Sequence, residues 1–358
     1  MGFNFKKQLA DWQQLTDMKK EEVVGLDVGS SSVKLVHLRH GIGGYLAVAA
    51  SKVDIGATEH DDERMRSAKT VAAIKTCFEQ SKIQTRQAVC GVCGPEVAVR
   101  SFNFPALPPE EIYQAIMLEA EQVCPFDPGK NILEYQLMNQ GTEEENAEVS
   151  GVLVAVTNEV VKSKLQMVSN ASFNCALMDV DGLALVNCFC QTEHRSSSQT
   201  TAILNVGHTF TNLVVVNDRK PPFIRDIPRG GSEIIEHIAA QQQLTREAAM
   251  RAVIGGANTE ITANLAGGAD KLISEINESL RYYMREQRVS TIDMVYVCGG
   301  FSQVNGFVEL LNKQLPFGAK LWNPFEKIGR HPEAVGLEML DTAGSAMAVA
   351  AGLAMRTL

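Results

Sequence analysis

Two stretches of this sequence, GLDVGSSSVKLV at 25–36 and ILNVGHTFTNLVVV at 203–216, follow one plan. In each, an apolar run is broken by a polar residue, a glycine and small hydroxyl residues, and an apolar run then resumes, which is the pattern of a tight β-hairpin. Laid on one another, Asp27 falls on Asn205, Gly29 on Gly207, Ser31 on Thr209 and Leu35 on Leu213. Two such hairpins half a chain apart predict duplicated domains that face each other across a ligand cleft. A glycine at the turn permits a positive φ, and Ser30, Ser31 and Ser32 leave the backbone N–H groups uncovered, so the turn can cradle an anion. Asp27 repels phosphate directly but suits a magnesium ion held through water, because that ion prefers carboxylate oxygens and keeps much of its hydration.

The rest of the composition agrees with a two-domain α/β protein. At 358 residues the chain exceeds what one core supports, and it is 45% hydrophobic and 21% charged with only 6% aromatics. A net charge of −9 without a cluster of Lys and Arg argues against nucleic acid as a partner. No stretch is long and apolar enough to span a bilayer, and MGFNFKKQLADW lacks the apolar core of a signal peptide, which predicts a cytoplasmic chain. The cysteines read as reduced small hydrophobes; Cys90 and Cys93 form a CxxC, but no second pair has metal-ligand spacing.

Along the chain, Phe5, Leu9 and Trp12 share one helical face in an amphipathic leader, 1–21. A first domain is expected over 22–100 and 174–198, with a strand in YLAVAASKVD, a helix at 63–81 and a buried strand in QAVCGVCG. Between its halves, 101–173 reads as an inserted β-α-β-β-α subdomain. Its first helix begins near Pro108 and Pro109 and ends before Pro125, and its two later strands flank the acidic loop GTEEENAE. A second domain is expected over 199–244 and 281–358, with a small subdomain at 245–280. It contains VYVCGGFS, a buried strand ending in paired glycines, and DTAGSAMAVAAGLAMR, a helix small enough in its side chains to pack tightly on another.

The order of these motifs resembles the actin, Hsp70 and sugar kinase superfamily. Within it, EAEQVCPFDP, LMDVDGLAL, DIPRGGSEIIEHIA, EINESLRYYM and VCGGFSQVNGFVELLNKQL followed by WNPF resemble the PilM family of type IV pilus assembly, and next its cell-division relative FtsA. The resemblance implies an actin-like ATPase fold: two duplicated RNase H-like domains around a nucleotide cleft, with an inserted βαββα subdomain of the FtsA type. It implies ATP or ADP with Mg2+, held by Gly29, Ser30, Ser31, Ser32, Lys34, Gly207, His208, Thr209, Gly230, Gly231, Gly299, Gly300 and Phe301, with Asp27 and Asn205 at the metal. It also implies recruitment to the inner membrane by the cytoplasmic N-terminal tail of PilN. That tail would lie in a groove lined by Phe102, Phe104, Ile116, Phe126 and Val154. Other pilus platform proteins, the assembly motor and further copies of the chain are additional partners on this reading, with the membrane reached only through partners.

Two departures from the family bear on mechanism. Asn205 stands where relatives carry aspartate, and a neutral amide can accept from magnesium-bound water without supplying charge, so hydrolysis is expected to be weak or absent. On this reading Asn205→Asp tightens magnesium-dependent binding. LTREAAMRAVIGG also lacks the acid and lysine with which relatives hold the nucleoside. The alternatives are an FtsA-like division protein, disfavoured because the sequence stops at GLAMRTL where FtsA continues into a membrane helix, and a small-molecule kinase or ATPase. An activator ATPase with a shared iron–sulfur cluster would need exposed paired cysteines.

Overall fold

The computed structural model describes residues 22–357, apart from 42, 59, 106, 128, 141–147, 195, 197, 198, 219 and 255–258. The expected leader and most of the acidic loop GTEEENAE lie outside these residues. Among them, no helix is long and apolar enough to cross a membrane.

Two large sheets repeat one topology. In the first lobe β1 (Val24–Val28), β2 (Ser32–Gly41) and β3 (Gly44–Asp54) run as an antiparallel meander, and β4 (Gln87–Val92) then pairs parallel to β1. In the second lobe β9 (Thr200–Val206), β10 (Thr211–Asn217) and β11 (Lys220–Ile227) form the same meander, and β12 (Met294–Cys298) pairs parallel to β9. Outer parallel strands follow in each, β8 (Asn174–Val180) beside β4 and β13 (Ala319–Leu321) beside β12. The register repeats to the residue: Asp27 faces Lys34 as Asn205 faces Asn212, and Val28 faces Val33 as Val206 faces Thr211. β14 (Gly329–Val335), in the stretch expected with the second domain, instead pairs with β3 and completes the six-stranded first sheet.

The inserted subdomain is a three-stranded sheet ordered β5 (Val97–Pro105), β7 (Glu148–Thr157), β6 (Asn131–Gln140), covered by the helix Pro109–Val123. That helix starts with proline in its first turn, where a missing N–H costs nothing, and stops before Pro125. The helix Asn158–Asn170, expected to complete the insertion, packs on the helix Glu63–Ser81 of the first lobe, where Val168 is fully buried. Edge strand β11 of the second lobe lies against β5.

Close backbone approach joins the lobes at their base. A Cβ on Gly352 would come 1.9 Å from the Ala184 carbonyl, and one on Gly25 would come 1.9 Å from that of Ala350. Glycine therefore lets the helix Ala348–Ala354 press against both the helix Asp181–Thr192 and β1. Phe189, from the first lobe, is wholly buried against Tyr296 and Trp322 of the second, with ring centroids at 4.7 and 5.3 Å. Burying such a ring contributes about 2–3 kcal/mol, and each edge-on aromatic pair about 1 kcal/mol more.

Candidate functional site

The two hairpins meet. Each closes with the same bond, Gly29 N–H to Ser32 O at 3.1 Å and Gly207 N–H to Phe210 O at 3.0 Å, and their tips touch through Thr209 Oγ1 and Ser30 Oγ at 2.7 Å. The positive φ expected at Gly29 is not found. What restricts the turn positions is crowding: a Cβ on Gly207 would approach Phe210 O to 2.8 Å, and one on Gly29 would approach Ser32 O to 3.2 Å. An open surface hollow lies elsewhere, along the helix Glu63–Ser81 near Asn170.

Asp27 and Lys34 form an ion pair at 2.8 Å, both nearly buried, across adjacent strands. In the second hairpin the same two register positions hold an amide pair, with Asn205 Nδ2 donating to Asn212 Oδ1 at 2.7 Å. This chain continues, since Asn212 Nδ2 donates to Asp226 Oδ1 at 2.7 Å and Asp226 Oδ2 accepts from the Gly94 N–H at 2.7 Å. It therefore crosses from the second lobe to the turn that leads into β5, where the Phe210 ring also rests on Gly94. Burial raises the Asp226 carboxyl above its ordinary pKa, while the bonds from Gly94 and Asn212 oppose that rise.

Gly230 and Gly231 brace the second hairpin. The N–H groups of Gly231 and Ser232 donate to Gly207 O and His208 O at 2.9 and 2.8 Å, so the start of the helix Gly231–Gln242 is occupied by the turn itself. His208 is held by Arg246 Nη2 at 2.8 Å from its Nε2, and burial, with the Arg246 charge, lowers its pKa. Gly299 has φ +94° and sits so near Val206 and Asn205 that any Cβ would collide. Gly300 has open space where a Cβ would stand, whereas Phe301 is a core ring packed on Gly231 and edge-on to Phe307 at 5.0 Å.

Four groups near the hairpins were not foreseen. Asp181 begins the helix Asp181–Thr192; it is buried with Oδ1 unpartnered, and its carboxyl is pushed up to about 7 by burial first and the Asp27 charge second. Cys93, Lys164 and Asp226 act on it electrostatically, and Lys164 donates to Val28 O at 3.1 Å from the helix Asn158–Asn170. Asp181 lies in the motif LMDVDGLAL and Asp226 opens DIPRGGSEIIEHIA, but nothing local marks Lys164.

An all-oxygen set of Asp27, Asn205 and the orphaned Asp181 oxygen suits Mg2+ rather than a soft metal. Among the described residues no three His, Cys, Asp or Glu side chains are grouped to ligate an ion directly. The cysteines are free; Cys90 is fully buried, and burial raises the Cys93 thiol well above its ordinary pKa.

The residues expected to line the partner groove stand in different settings, with Phe126 half-buried. Phe102 and Ile116 are buried in the subdomain core, with Phe104 stacked on Phe102 at 5.3 Å, and Val154 packs on the core shared by the two lobes. Exposed apolar side chains on the helix and strands of the subdomain include Tyr113, Leu118, Ile132 and Tyr135, with the two tyrosine rings 6.4 Å apart.

Two lobes of repeated topology, facing glycine hairpins and a joining pair of small-residue helices define an actin-like α/β protein. A structure described as a PilM–PilN type IV pilus biogenesis complex matches with a TM-score of 0.76 and 24% identity, covering 94% of this chain and 98% of that one. The ethanolamine utilization protein EutJ from Carboxydothermus hydrogenoformans matches at 0.53 and 12%, covering 95% and 91%, and a glycerol dehydratase reactivase at 0.50 and 10%, covering 93% and 99%. The family model of type IV pilus assembly protein PilM matches residues 25–358, and the chain belongs to that family.

Proposed function

We propose that this chain is a nucleotide-responsive scaffold of type IV pilus assembly, binding ATP or ADP with Mg2+ between its hairpins and the N-terminal tail of PilN on its inserted subdomain. The observation that carries the nucleotide reading is the convergence of the two turns, with Ser30 and Thr209 in contact across the lobes. Lys34, Ser31, Thr209 and the amides after Gly29 and Gly207 would hold the phosphates, and the open face at Gly300 would take the base. Asp27, paired with Lys34, and Asn205 would orient water on the ion. Phosphoryl transfer depends on positioning and charge neutralisation, and a neutral Asn205 supplies half of that pair, so binding outlasts turnover.

Support for the partner comes from family membership and from the described PilM–PilN relative. Tail binding would bring the chain to the inner membrane from the cytoplasm. Calorimetric titration with a PilN tail peptide, with and without MgATP, tests both halves. Saturable binding of each ligand is expected; no peptide binding at high micromolar concentration overturns the partner reading, and no nucleotide binding overturns the other.

A further inference from the structure

The direction of the buried amide chain is fixed from one end. An amide has a donor face and an acceptor face of equal shape, so Asn205 and Asn212 alone could run either way. An ionised carboxylate can only accept. Asp226 accepts from Gly94 at one oxygen and so demands the N–H side of Asn212 at the other; Asn212 then presents Oδ1 to Asn205, which must turn Nδ2 toward it. Asn212 is 2% exposed and cannot take the opposite setting against water, and a reversed amide there would leave buried acceptors facing each other. The consequence falls on Asn205: its Oδ1 is left on the far side, next to Gly299 and 4.0 Å from the Cys298 thiol.

We infer that Asp226 is a positioning residue for the nucleotide cleft, orienting Asn205 so that its carbonyl oxygen, and not its amide nitrogen, faces Gly299. Asn205 thereby presents an acceptor where a carboxylate oxygen would stand, and it can take a hydrogen bond from metal-bound water. This rests on the nucleotide reading above. The same carboxylate ties this orientation to the inserted subdomain, because its other oxygen holds Gly94 at the entrance to β5.

The near-isosteric Asp226→Asn tests the inference. The new amide keeps an acceptor for Gly94 and gives Asn212 a donor, so the two bonds between side chains can reverse with none lost while the Gly94 bond keeps its direction, and Asn205 then turns its NH2 toward Gly299. Folding is retained, metal-free ATP affinity is unchanged, and the gain from Mg2+ falls about tenfold, the worth of one hydrogen bond near charge. A full magnesium gain in D226N overturns the inference. Wild type that binds no ATP with or without Mg2+ overturns the nucleotide reading instead. The relay is then decided by hydrogen exchange of the Asn205 side-chain NH2, measured by NMR. Protection in wild type and its loss in D226N are expected; equal exchange in both overturns the relay.

Discussion

Thr209 Oγ1 lies 2.7 Å from Ser30 Oγ, so the tips of the two hairpins are joined by an exposed hydroxyl contact. A polyphosphate entering between them must break it. An exposed neutral bond contributes about 0.5–1.5 kcal/mol, whereas a hydroxyl bonded to a phosphate oxygen contributes about 1.5–3 kcal/mol, so the second effect wins. Thr209→Val is therefore expected to leave the melting temperature nearly unchanged and to weaken ATP roughly tenfold by titration.

Asn205→Asp does not simply restore a missing charge. An aspartate there removes the donor to Asn212 Oδ1, and satisfying it by turning Asn212 would set a carbonyl against Asp226. The single variant is expected to lose about 1–3 kcal/mol of stability. The double variant N205D/D226N moves the carboxylate to the other end of the chain with every bond satisfied. It should recover that stability and bind MgATP more tightly than wild type, as a double-mutant cycle in chemical denaturation and nucleotide affinity will read.

Asp181 gives a pH signature. It faces Asp27, Asp226, Lys164 and Cys93, and its folded pKa of about 7 stands above the unfolded 3.8. A carboxyl raised in this way contributes stability that is fully present below 3.8 and is lost as pH rises through about 7. Asp181→Asn removes the ionisation, so its melting temperature should exceed that of wild type by a few degrees at pH 8, about 2–4 °C for each kcal/mol, with a smaller difference at about pH 5. Equal differences at both pH values would contradict the assignment.

The glycines separate packing from ligand. Gly352→Ala drives a methyl to 1.9 Å from the Ala184 carbonyl, which cannot yield as a side chain could, and is expected to cost about 3 kcal/mol in denaturant unfolding. Gly300→Ala meets nothing within 4 Å and should stay within about 0.5 kcal/mol of wild type. It should nonetheless weaken nucleotide binding, because its methyl would stand on the face where the base is proposed to lie.

The duplicated hairpins, the glycine pair and the proline-bounded helix were legible because apolar period and punctuation are local signals. β14 was not: GRHPEAV is polar and only half-buried, and a strand that pairs along one edge carries no apolar alternation to betray it. Lys164 sits in an amphipathic helix, where a lysine normally marks the solvated face, yet it reaches Val28. Phe102 and Ile116 show the converse limit. Apolar alternation says that a side chain is covered, but it does not say whether its own helix or a visiting peptide covers it.

The closing helix has a consequence for how the chain is made. Tyr45 of β3 bonds to the Met355 carbonyl 310 positions later, and the first sheet takes its last strand from β14. The lobe that emerges first from the ribosome is thus finished last, and its early strands wait with bare edges while the entire second lobe is synthesised. Contacts of such high sequence separation must be closed before they contribute stability, which slows folding.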